Sequence, residues 1–167
     1  MRLLLSIILV VSPIWPLGKN PLPGDPFLIV NKQTNMLAYI QGEQIRQQSS
    51  VATGKTEDLT PQGLFTIIVK ARDPYYRKSD IPGGDPKNPL GTRWMGFDAD
   101  GTDGRIYGIH GTNNNESIGK YISNGCIRMH NSEVEALFDK VPSGTKLLIV
   151  KTGKSFEELA KEFGAMR

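Results

Sequence analysis

Apolar residues fall in short runs separated by polar, glycine- and proline-bearing segments, a pattern that predicts strands rather than long helices. Phe27-Leu28-Ile29-Val30 and Met36-Leu37-Ala38-Tyr39-Ile40 flank the polar segment 31–35 and read as a hairpin. Gln41-Gly42-Glu43 is the next turn, and Gln44 to Ala52 forms a third strand with one wet face. Thr60-Pro61-Gln62-Gly63 punctuates the chain before Leu64 to Val69, a β-branched core strand. From Ala71 to Asp103 only Arg93 to Phe97 is patterned as a strand. Such a long irregular stretch in a compact domain is usually a lid or binding loop, and it is expected to wall a site.

Arg105 to Ile109 reads as another buried strand, and Ser117 to Tyr121 as a helical turn. Ser132-Glu133-Val134-Glu135 fits a capping box, opening a helix with Val134, Leu137, Phe138 and Val141 on one face. Pro142 to Thr145 ends it and Lys146 to Lys151 supplies a last core strand. Ser155 and Glu158 make a second capping box for an amphipathic tail helix stopped by Gly164.

Composition agrees with this pattern. In 167 residues, 38% hydrophobic and 22% charged content suits one soluble domain, and 18 Gly with 11 Pro favour a mainly β fold rich in turns. The net charge of +3 comes without a basic run, so nucleic acid is not an expected partner. Met1-Arg2, the apolar run from Leu3 to Val11 and Ser12-Pro13 have the shape of a secretory signal. The run is too short to span a bilayer, and no small-x-small cleavage site follows. Export is expected, with the segment either removed or kept as an anchor; the alternative is an N-terminal strand. Membrane contact is expected only through this segment.

Cys126 is the sole cysteine, and His110 lies sixteen positions before it. One thiol in an exported protein makes no internal disulfide, so it is either buried and inert or reactive. Its neighbours favour reactivity. Gly125 lets the backbone turn sharply, so that amides of Gly125 and Cys126 can face an oxyanion, and Arg128 adds positive potential that favours a thiolate. An imidazole such as His110 is the side chain best matched to take the thiol proton. His110, Cys126 and His130 lack a fourth ligand, so no metal and no cofactor are assigned. Gly54-Lys55-Thr56 and Gly153-Lys154-Ser155 lack the first glycine of a phosphate loop, and the segment 98–103 misplaces the glycine of a calcium loop.

The joint occurrence of His110-Gly111-Thr112, Ser117-Ile118-Gly119 and Ser123-Asn124-Gly125-Cys126-Ile127-Arg128-Met129 resembles the L,D-transpeptidase catalytic domain (YkuD) family of bacterial cell-wall enzymes. Supporting similarity runs through Thr60 to Phe65 and Asn88 to Met95, and the resemblance covers roughly 27–151. Asn124 stands where many members carry histidine. The resemblance implies a β-sandwich of mixed sheets, with one main helix after the cysteine and a C-terminal helix. It implies that Cys126 attacks the tetrapeptide stem of peptidoglycan, releases D-alanine, and passes the acyl group to the amine of an acceptor stem. His110 would be the base, oriented by the Gly111 carbonyl, with Ser123 supporting the thiol or substrate and Arg128 holding a stem carboxylate. Hydrolysis of the same stem, as by a carboxypeptidase, is the alternative, and a non-catalytic wall-binding domain the third reading. The chain thus divides into a signal-like segment and connector (1–26), the catalytic domain (27–151), and a tail (152–167). That tail partly resembles the opening of a LysM module, and the cell envelope is the expected location.

Overall fold

Runs of β-branched and aromatic residues separated by tight polar turns bury side chains on the sheet faces while pairing their backbones with neighbouring runs. A computed structural model describes residues 14–167. The apolar run at 3–11 lies outside the described residues. Among these residues the strands are β1 (Phe27–Asn31), β2 (Met36–Gln41), β3 (Gln44–Ser50), β4 (Thr53–Gly54) and β5 (Gly63–Arg72). They continue with β6 (Arg93–Phe97), β7 (Tyr107–His110), β8 (Tyr121–Ser123), β9 (Ile127–Arg128) and β10 (Lys146–Val150). Two α-helices follow the cysteine, α1 (Asn131–Lys140) and α2 (Phe156–Glu162).

Eight strands form one mixed sheet in the order β3-β2-β1-β10-β5-β6-β7-β9, and β4 pairs with β8 apart from it. The first hairpins turn as the sequence predicts, with Gly42 and Glu43 both at positive φ, the geometry that matches strand twist in a two-residue loop. The last strand, β10, returns to lie parallel to β1 at the centre.

The sheet curls until its two halves share one core. Leu28, Val30, Leu37 and Tyr39 from the first half meet Ile67, Met95, Phe97, Ile109 and Ile127 from the second, with Val134, Leu137 and Phe138 of α1 packed among them. The closure has a visible seam: Ala52 N–H donates to the Arg128 carbonyl at 2.9 Å, and Arg128 N–H to the Ala52 carbonyl at 3.0 Å. On the other face of β1, Phe27 and Ile29 pack with Ala38, Ile40 and Leu148 under Leu159 and Ala160 of α2. This two-sided burial explains why β1 reads as a continuous apolar run rather than an alternating one. The tail helix is therefore packed onto the sheet, and its capping box of Ser155 and Glu158 is formed as expected.

The capping box expected at Ser132 is not formed. α1 begins two residues earlier, with His130 rather than Ser132 at the N-cap position and no side-chain cap, and the Glu135 carboxylate instead accepts from Thr92 Oγ1 at 2.7 Å. The turn expected from Ser117 lies at Asn115–Ser117, and Tyr121 opens β8. β7 starts at Tyr107 rather than Arg105 and includes His110.

Phe97 is fully buried and contacts both Phe65 and Tyr107 rings. Phe97→Ala is expected to lower unfolding free energy by about 3–5 kcal/mol, read as a fall in the urea midpoint with an unchanged slope.

Candidate active site

Strand periodicity sorts the residues of β6, β7 and β9 onto two faces. Met95, Phe97, Ile109 and Ile127 point into the core, so Trp94, Gly96, Gly108, His110 and Arg128 lie on the opposite face. Register then sets the neighbours: Trp94 pairs with His110 and Gly96 with Gly108, while His110 pairs with Arg128 in the parallel β7–β9 ladder. Cys126, two residues before Arg128, shares that face one step before the ladder starts. Its backbone is thus displaced from His110 by about two residues along the strands and one strand spacing across, roughly 7 Å and 4.8 Å.

Trp94 supplies the shelf on which the base rests. Its ring stacks on His110 with centroids 5.5 Å apart and planes 16° from parallel, and its Nε1–H donates to the Gly104 carbonyl at 2.9 Å. The indole lies over Gly108, where a Cβ would come within 2.6 Å of the ring. A Cβ on Gly96 would likewise meet the Gly104 carbonyl and Trp94 Nε1. Two glycines leave room for one large ring.

The cysteine turn is braced from within and behind. Gly125 has φ +132, and a Cβ there would lie 2.5 Å from the Leu59 carbonyl, so both conformation and space require glycine. Ser123 Oγ donates to the Cys126 carbonyl at 2.6 Å and accepts from Gly125 N–H at 3.1 Å. Thr60 Oγ1 donates to the Gly125 carbonyl at 3.0 Å. Ser123 is thereby committed to holding the turn, and the Gly125 amide is already bonded rather than facing an oxyanion. The amide that reaches the thiol is that of Gly108. Asn124 is exposed and Arg128 half-buried.

His110 is 4% exposed. Burial drives its pKa down from 6.5 to about 4; the Gly111 carbonyl opposes the shift, Arg128 adds to it, and the Leu90 carbonyl opposes it again. Its Nδ1 lies 2.6 Å from the Gly111 carbonyl; since a carbonyl only accepts, Nδ1 carries the proton and Nε2 is left basic. Burial also raises the Cys126 thiol above its ordinary value, against the Gly108 amide and Arg128, which favour the thiolate. The thiol donates to the Ile106 carbonyl at 3.4 Å. The resting pair is therefore neutral.

Cys126 opens into a cleft of about 810 Å³. Its lining comes from Val69 and Ala71 of β5, Trp94 of β6, Asp103, Arg105 and Ile106 ahead of β7, and Pro74, Tyr75, Tyr76, Arg77, Lys78 and Leu90 of the long loop between β5 and β6. Buried Asn88 ties that loop together, donating from Nδ2 to the carbonyls of Pro74 at 2.8 Å and Pro82 at 3.2 Å. Sequence reasoning located the loop but missed Trp94, the Gly108 amide, and the lining cations Arg77, Lys78 and Arg105. Arg128, nominated for a stem carboxylate, is half-buried, and its charge acts on His110 and Cys126.

Residues 25–149 match the L,D-transpeptidase catalytic domain of the YkuD family. The chain is 63% identical over 163 residues to a Bacillus subtilis (strain 168) protein named "Putative L,D-transpeptidase YqjB", covering 98% of this chain and 93% of that one. It is 37% identical over 135 residues to "Putative L,D-transpeptidase YkuD" of the same organism, covering 77% and 72%. Among solved structures, the catalytic domain of the Enterococcus faecium L,D-transpeptidase acylated by ertapenem superposes with a TM-score of 0.57 at 25% identity, over 75% of this chain and 97% of that one. A crystal structure of an Enterococcus faecium L,D-transpeptidase mutant gives 0.61 at 22% identity; the alignment covers 76% of this chain and half of that longer one. Fold, family match and relatives agree, and the chain belongs to the YkuD L,D-transpeptidase catalytic domain family as an enzyme of that type.

Proposed function

We propose that this enzyme joins peptidoglycan stem peptides through a thioester on Cys126, with His110 as the base. The observation that carries the reading is the shared face of β7 and β9. It sets a neutral imidazole, protonated at Nδ1, on the same face as a thiol that opens into a peptide-sized cleft. Because burial keeps both groups neutral, proton transfer accompanies attack rather than preceding it. The Cys126 sulfur bonds to the carbonyl carbon of the third stem residue as the thiol proton passes to His110 Nε2. The carbon–nitrogen bond to the terminal D-alanine then breaks, and His110 returns the proton to the departing amine. The side-chain amine of an acceptor stem next attacks the thioester, forming the cross-link and releasing the thiol.

The carbonyls of Gly111 and Leu90 favour the imidazolium while it exists. Arg77, Lys78 and Arg105 line a cleft with one carboxylate, Asp103, which suits the carboxylates of a donor stem. The apolar run after Met1-Arg2 supports action at the cell envelope.

Purified protein given a disaccharide-tetrapeptide is expected to yield cross-linked dimer with release of D-alanine, detected by mass spectrometry. Tripeptide without dimer would assign hydrolysis instead. Cys126→Ala is expected to remove both products while the protein stays folded by circular dichroism. Turnover in that variant would show the nucleophile to be another group.

The buried imidazole also sets a pH dependence of stability. An unfolded chain takes up the His110 proton near pH 6.5, whereas the folded protein resists it to about pH 4. The contribution is thus fully present above 6.5 and is lost as pH falls toward 4, by up to about 3 kcal/mol. Urea unfolding at pH 7 and pH 4.5 is expected to show a drop for the parent protein larger by about 2–3 kcal/mol than that for His110→Gln. Equal drops would contradict a buried neutral histidine.

A further inference from the structure

The Gly111 carbonyl that receives the His110 Nδ1 proton is one end of the Gly111–Thr112 peptide group. The other end, the Thr112 N–H, donates to Asn131 Oδ1 at 3.1 Å. In a trans peptide the C=O and N–H point in opposite directions, so the three groups line up as carboxamide oxygen, peptide, imidazole. The same Asn131 oxygen accepts from Thr92 N–H at 3.3 Å. Both partners are backbone donors, which leaves only one orientation for the carboxamide: its oxygen faces them.

The surroundings are shaped for this contact. A Cβ on Gly111 or on Gly91 would collide with Asn131 Oδ1, and one on Gly91 would also strike the Thr112 amide, 2.5 Å away. Asn131 is the first residue of α1, yet its carboxamide oxygen serves two other segments rather than its own helix. It ties the end of the cleft loop, at Thr92, to the backbone that follows the base.

We propose that Asn131 is a positioning residue for His110, acting through the Gly111–Thr112 peptide. It fixes the carbonyl that holds the Nδ1 proton, so that Nε2 stays basic and in place. It also polarises that carbonyl as the imidazole takes the thiol proton, because a hydrogen bond accepted from the N–H end strengthens the C=O end as an acceptor. A neutral amide does this without setting a second charge beside a buried base. The inference rests on His110 serving as the base for Cys126.

The test compares the parent protein with Asn131→Ala, Asn131→Asp and His110→Ala. The readouts are kcat and KM for D-alanine release from a disaccharide-tetrapeptide, and the proton resonance of His110 Nδ1–H. Asn131→Ala is expected to lower kcat about tenfold, as loss of one hydrogen bond's net contribution predicts. KM should change less than about twofold, and the Nδ1 proton should move upfield. Asn131→Asp restores an acceptor oxygen and is expected to recover most of the kcat loss. Its carboxylate should move the resonance downfield of the parent position, a response that mere support of the loop does not produce. Unchanged kcat and resonance in Asn131→Ala would overturn the proposal. If that variant fails to fold, an unmoved resonance in Asn131→Asp overturns it. Full activity in His110→Ala would instead remove the reading on which the proposal stands.

Discussion

Two backbone hydrogen bonds between Ala52 and Arg128 close the curled sheet on itself, and the chemistry hangs from that closure. β9 is only two residues long, too short to persist at an open edge. β7 holds it on one side and Ala52 on the other. With β9 fixed, the turn from Ser123 to Cys126 has an anchored exit, and Thr60 and Ser123 secure the rest of it. The thiol therefore sits on a strap tied at both ends, not on a loop free to wander.

The electrostatics of the site follow from how completely it is enclosed. Burial works against charge on both His110 and Cys126, while the Gly111 and Leu90 carbonyls and the Gly108 amide work for it. Arg128 has opposite effects on the two, resisting the imidazolium and favouring the thiolate. The balance leaves a neutral pair whose ionised state has stabilising partners already in place. That arrangement suits a proton that must move twice, from sulfur to nitrogen and on to a leaving amine, without being trapped at the middle stop.

Much of this was legible in the chain. Strand runs such as 27–30 and 36–40 announce themselves because their apolar residues are contiguous, and Cys126, His110 and Gly125 stand out by chemical type. The helix start was misread because Ser132 and Glu135 have capping-box spacing, while their neighbour Asn131 already begins the helix and Glu135 is drawn to Thr92. Trp94 entered the sequence reading only as part of a short strand, with no role at the site. Its role depends on glycines two strand positions and one strand away, Gly96 and Gly108, which only pairing register brings beneath it. The cations that line the cleft, Arg77, Lys78 and Arg105, escaped the sequence reading because no local pattern links residues so distant in the chain to Cys126.

The alternation along β6, β7 and β9 has a consequence for how such an enzyme can change. Ile109 builds the core and His110, its neighbour, builds the site, and the same holds for Ile127 and Arg128. A single-residue insertion or deletion in any of these strands would exchange the two inventories, burying the reactive groups and exposing the oily ones. Stability and reactivity are interleaved in one reading frame. The loop between β5 and β6 carries no such register, so a change of length or charge there leaves the two faces of the strands as they are.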